Sequence, residues 1–234
     1  MKLRELFTKL SFIELSNLAM ANDGNGTIRE ADHARLVHVV NEALKDMFSR
    51  MLLSERVLLL QSLEWKSNYA LRKEHAMMDP SPELKYIIDT PHNIFTGDVV
   101  KVLGVCNEIG DPLPLNDSEQ WASGFLPHFD VVQLTHPGFD QVFSVSYQAL
   151  HPLLNSDGEG VLDQEIRIPS LLEDILRARV AFGIFSAMSG QEFSTKAQQL
   201  EATYESKLGW IEQNNLIGDA GLNTNVKLHR RGFP

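Results

Sequence analysis

The chain has a single cysteine, Cys106, in 234 residues, which excludes an internal disulfide and any zinc site built on several thiolates. That usage fits a reducing compartment, and Cys106 is expected to pack as a small buried hydrophobe. Long apolar runs are missing too: nowhere do the ~18 uninterrupted apolar residues of a membrane helix occur. The apolar stretch that follows Met1-Lys2-Leu3-Arg4 is broken by Thr8, Lys9, Ser11 and Glu14, so a secretory leader is not expected and the chain should be soluble. Basic charge is scarce. Against 31 Asp and Glu stand 21 Lys and Arg, a formal net charge of −10, which argues against a surface that wraps nucleic acid, because phosphate binding needs clustered cations. Passage of DNA through an assembled, repulsive channel stays compatible with it.

Catalytic signatures are also absent. There is no Gly-x-Ser-x-Gly elbow, and Ser189-Gly190 is expected to close a helix instead of a strand. Gly24-Asn25-Gly26 lacks the Lys-Ser/Thr ending of a phosphate loop. The histidines are scattered: His33 and His38 are five apart, His128, His136 and His151 lie in or near turns, and no H-E-x-x-H spacing occurs. No catalytic residue, cofactor or metal ligand is therefore expected. A small hydrolase would need His128, Asp130 and His136 to converge in one pocket.

What is present is a packing pattern. Leu3, Leu6, Phe7, Leu10 and Ile13 suggest short helical turns, with Ser11-Phe12-Ile13-Glu14 as a capping box. Thr27-Ile28-Arg29-Glu30 reads as a second capping box, opening a helix whose stripe is Leu36, Val40, Leu44, Met47 and Met51. From Arg56 to Leu71 the period is nearer two and favours extended structure. Val99 to Cys106, Phe129 to Leu134 and Gln141 to Tyr147 read as further strands. Gln164 to Ile168 reads as a short strand closed by Pro169. Leu171, Leu172, Ile175, Leu176, Val180, Ile184 and Met188 then mark one helix, and Ala197, Leu200, Tyr204, Leu208 and Ile211 a second, antiparallel to it. The expected fold is α+β and mainly α. Residues 1–54 and 169–215 would form a helical bundle, residues 55–168 a β-rich insertion, and residues 216–234 an extended C-terminal arm.

That order of parts resembles the head-to-tail adaptor (connector) proteins of short-tailed bacteriophages. The resemblance rests on the turn and helix from Asn25 to Arg50, including Val40-Asn41-Glu42-Ala43-Leu44. It also rests on the run from Asp98 through Val105 to Gly110-Asp111-Pro112-Leu113-Pro114-Leu115-Asn116-Asp117, on Glu165-Ile166-Arg167-Ile168-Pro169-Ser170-Leu171-Leu172, and on the terminal helix with Tyr204 and Trp210. It implies a non-enzymatic virion protein: a homo-oligomeric ring of twelve copies joining the portal protein to the tail tube or nozzle protein, with DNA passing through without sequence-specific binding. It also implies residence in the neck of the virion, in the host cytoplasm during assembly, and no contact with a membrane. The C-terminal arm would grip the portal.

The arm carries Lys227, Arg230 and Arg231 against Asp219, a formal charge of 3 − 1 = +2, which leaves −12 on residues 1–215. It has too few apolar anchors to form a core and should order on a partner. Val226, Lys227, Leu228, Arg230, Arg231 and Phe233 are the portal-binding candidates. Trp121, with Phe125 and Phe129, lies in an expected loop and is the candidate subunit contact. A different class of function is offered by residues 21–32, where Asp23, Asn25 and Thr27 fall at the third, fifth and seventh positions of an EF-hand-like calcium loop and Gly26 at the sixth. Ala21 at the first position and Asp32 at the twelfth depart from that pattern.

Overall fold

The computed structural model describes residues 1–120, 123–135, 138, 140–158, 160–214 and 216–217, except for the side chains of residues 22–24. The chain forms two compact units, one from Met1–Met51 with the described part of His151–Leu222, the other from Leu52–Leu150.

The first unit is helical. α1 (Leu3–Phe12), α2 (Glu30–Arg50), α3 (Glu173–Ser186) and α4 (Gln191–Gln213) bury the stripes that their periodicity marks. α3 packs against both α2 and α4, with Leu36, Val40, Met47, Leu176, Val180 and Ile184 at most 1% exposed. Each such side chain contributes about 1.5–3 kcal/mol by leaving water. Gly183 sits where the crossing of α2 and α3 is tightest: a Cβ there would lie 2.7 Å from Cγ1 of Val39. Gly190, at φ 133, precedes α4 and turns the chain back from α3, a backbone geometry that favours glycine.

Three local expectations are corrected in this unit. Ser11 is no cap. It lies inside α1, fully buried, and its Oγ donates to the carbonyls of Ala21 at 3.2 Å and Thr27 at 3.3 Å, so it ties down the following loop. α2 starts three residues beyond Thr27, after Arg29, with no side-chain cap. Gln164 to Ile168 forms no strand but a single bridge between Glu165 and Lys2, flanked by the bonds from Leu3 N to the Gln164 carbonyl at 2.9 Å and from Ile166 N to that of Met1 at 2.8 Å.

The second unit is built of β-strands. β1 (Glu55–Gln61), β2 (Asn68–Ala70), β3 (Ile87–Ile88), β4 (Val99–Cys106), β5 (Gly124–His128), β6 (Val131–Leu134) and β7 (Val142–Ala149) form two antiparallel sheets, in the orders β3-β1-β7-β4 and β2-β6-β5. Side chains of both sheets share one core, in which Leu60, Val145, Tyr69 and Val132 are wholly buried. Cys106 ends β4 half-buried instead of in the core, opposite Ser144.

The expectation of a mainly α helical bundle is therefore wrong. Helix makes up 39% and strand 21% of a mixed fold with four helices and seven strands among the described residues. The middle of the chain has a core of its own, closed by strand pairs such as Asn68 with Gln133 that no local periodicity reveals. No helix among the described residues is long and apolar enough to cross a membrane.

Candidate interaction surfaces

The densest polar cluster joins α2, α3 and α4. Tyr204 Oη donates to Asp46 Oδ2 at 2.7 Å, and Arg179 Nε donates to the same oxygen at 3.0 Å. Arg50 Nε stands 3.3 Å from the other oxygen, and its Nη1 reaches Glu205 at 2.9 Å. Burial works against the Asp46 carboxylate, but the hydrogen bonds from Tyr204 and Arg179 and the two guanidinium charges outweigh it and hold its pKa below the usual range. Burial, with that carboxylate alongside, pushes the Tyr204 phenol up. Each of these groups is committed to another, and the depression beside them holds only about 80 Å3. The cluster locks three helices together and offers no reactive group.

A larger groove, about 650 Å3, runs between the turn after α1 and the facing ends of α3 and α4, lined by Ile13, Glu14, Leu18, Phe185 and Phe193 among others. Glu14 Oε2 and Arg177 Nε are buried and lack hydrogen-bond partners among the described residues. Burial raises the pKa of Glu14, and the Arg177 charge opposes that rise without cancelling it.

Among the expected contact residues, Phe125 is half-buried in β5 opposite Gln133, while Phe129, 64% exposed, caps the turn into β6. They lie four residues apart, Phe125 within β5 and Phe129 in the turn just after it. Trp121 lies outside the described residues, as do the arm candidates Val226, Lys227, Leu228, Arg230, Arg231 and Phe233. Trp210, 54% exposed, stands out from α4.

Around the EF-hand-like segment, Ala21 is wholly buried, Asp32 is paired with Arg29 at 2.8 Å, and the Thr27 carbonyl accepts the Ser11 hydroxyl. Gly26, at φ 77, lies beneath the Phe12 ring. No group of three or more His, Cys, Asp or Glu placed to hold a metal ion occurs among the described residues. Asp130 faces Arg72 at 3.3 Å and His128 is exposed, while His136 lies outside the described residues.

One exposed feature depends on strand pairing that the sequence does not display. β1 and β4 flank β7 and run antiparallel to it, with Gln61 opposite Val142 and Cys106 opposite Ser144. The loops that follow β1 and β4 therefore leave the same end of the sheet, two strand spacings or about 10 Å apart. They carry Trp65, 73% exposed, and Ile109, 85% exposed. The available signal was an isoleucine at the tip of the polar turn Asn107–Asp111, out of place in a solvated loop.

No protein-family model matches this chain, and no curated protein matches it.

Proposed function

We propose that the protein is a structural component of a phage neck, a subunit of the ring that joins the portal to the tail and surrounds the DNA exit channel. The observation that carries this reading is that the described parts of residues 1–51 and 151–217 form one helical unit while the residues between them in sequence form a β unit of their own, the order of parts on which the resemblance to head-to-tail adaptors rests. Segments that carry the resemblance supply buried framework positions: Leu44 at 1%, Val105 at 1%, Ile166 and Leu172 at 0%, and Tyr204 at 2% exposure. Trp210 and Phe129 are left exposed for contacts between copies. A formal −12 on residues 1–215 suits a wall along which DNA slides without sticking. The protein acts by burying surface against neighbouring copies and against the portal, and it needs no catalytic group.

Electron microscopy of the purified protein mixed with portal assemblies tests this. A ring of copies on one face of the portal is the expected result. Portals that gain no density at saturating protein contradict it.

A further inference from the structure

The end of the β unit that displays Trp65 and Ile109 is a rigid platform. Ser62, 1% exposed, donates its N–H to the Gln141 carbonyl at 2.7 Å and accepts the Gln141 N–H on its hydroxyl at 3.0 Å. Glu108 Oε1 accepts the N–H of Val142, the first residue of β7, at 2.8 Å. Asn107 Oδ1 accepts the N–H groups of Ile109 and Asp111 and fixes the turn between them. Beneath Trp65, the buried Tyr69 hydroxyl accepts the Leu63 N–H at 2.9 Å and donates to the Lys66 carbonyl at 2.7 Å. Two large apolar side chains, Trp65 and Ile109, thus stand exposed on loops whose backbones are fixed by hydrogen bonds. Beside Ile109, a depression of about 210 Å3 is lined by Asn107, Glu108, Gln141 and Phe143.

The rim is acidic. Glu64, Glu108, Asp111 and Asp140, the last bonded by Gln61 Nε2, are exposed in the chain segments that hold these anchors, none of them in an ion pair among the described residues, with Lys66 beside Trp65 as a cation. Such a surface repels an anionic membrane and a second copy of itself. It selects a segment that alternates apolar and basic side chains. The C-terminal arm offers one, Val226-Lys227-Leu228-His229-Arg230-Arg231-Gly232-Phe233, which carries Lys227, Arg230 and Arg231 and no acid. Val226 follows Ile217 by nine residues, which can span up to about 30 Å when extended.

We infer that this end of the β unit is a docking site for a basic, apolar peptide, and that its occupant is the C-terminal segment Val226–Phe233 of this sequence. Trp65 and Ile109 receive Val226, Leu228 and Phe233, while the acidic rim pairs with Lys227, Arg230 and Arg231. The inference is independent of the adaptor reading, because it concerns the protein alone. Within that reading, it gives the arm a resting place from which a portal displaces it.

Hydrogen exchange on the full chain, without any portal, tests it. A tethered segment at millimolar effective concentration, held by a site of about 0.1 mM affinity, is bound about ten to one, so amides of residues 226–233 should exchange about tenfold more slowly than in the free peptide. The double variant Trp65→Ser, Ile109→Ser should abolish that protection with no change in melting temperature. A second variant, Lys227→Glu, Arg230→Glu, Arg231→Glu, reverses the charge of the segment and should speed exchange in residues 62–66 and 107–112. Wild-type arm amides that exchange as fast as the free peptide overturn the inference. So does protection that survives both variants.

Discussion

Glu14 and Arg177 face each other across 3.6 Å in the helical unit, and each keeps a buried polar atom that no described residue satisfies. The guanidinium is drawn away by Asp174, which accepts from Arg177 Nη2 at 2.6 Å, and Lys207 stands 3.8 Å from Asp174 on the other side. Glu14 is thus desolvated more than it is compensated. Its raised pKa means that its contribution to stability is fully present below the unfolded-state value and is lost as pH rises through the folded-state value. Glu14→Gln should therefore melt higher than wild type at pH 8, with the gap narrowing towards pH 4. Melting curves of the two proteins over that range check it, and a gap that widens on acidification would show that the Arg177 attraction dominates instead.

Asp46 behaves in the opposite sense. Its lowered pKa stabilises the helical unit above the unfolded-state value, and that contribution is lost as pH falls through the folded-state value. Tyr204→Phe removes the 2.7 Å hydrogen bond to this carboxylate and should cost about 1.5–3 kcal/mol in urea unfolding, the range for a bond to a charged group. Asp46→Ala should cost more, since it removes the 3.0 Å bond from Arg179 together with that from Tyr204.

Gly183 is held to its size by Val39. Replacing it with valine adds bulk at the tightest point between α2 and α3 and should destabilise the helical unit by about 1–3 kcal/mol. The same change at Gly209, where a Cβ meets nothing within 4 Å, should be close to neutral. Paired denaturation curves separate packing from helix propensity.

Phe129 and Trp210 are exposed at 64% and 54%, so Phe129→Ser and Trp210→Ser should change unfolding free energy by no more than about 0.5 kcal/mol. If they serve contacts between copies, each should weaken ring formation on a portal at least tenfold in concentration midpoint, an effect of about 1.4 kcal/mol. Sedimentation of portal mixtures reads this directly.

Sequence reasoning found the elements whose information is local. α2, α3 and α4 carry their buried faces at three- and four-residue steps, and β1 and β4 are rich in Val and Leu while β7 alternates Phe143, Val145 and Tyr147 with Ser144 and Ser146. It missed what depends on distant pairing. In the sheet β2-β6-β5 the strands have three to five residues, and β2 meets β6 more than 60 positions away, Asn68 opposite Gln133, so the middle of the chain read as an insertion and not as a unit with its own core. The Asp46–Tyr204 lock spans 158 positions, and the platform under Trp65 and Ile109 arises only where loops from β1 and β4 flank β7. The helix starts misled for a further reason: a Ser or Thr three residues before Glu marks a cap only if the chain bends there, and Ser11 is inside α1 with its hydroxyl turned to the next loop.

The adaptor reading is tested most directly by the mass of the purified protein, alone and mixed with its portal, before and after deletion of residues 216–234. The account predicts a large complex with the portal that fails to form once the arm is removed. A protein whose mass is indifferent to the portal, with or without its arm, contradicts it.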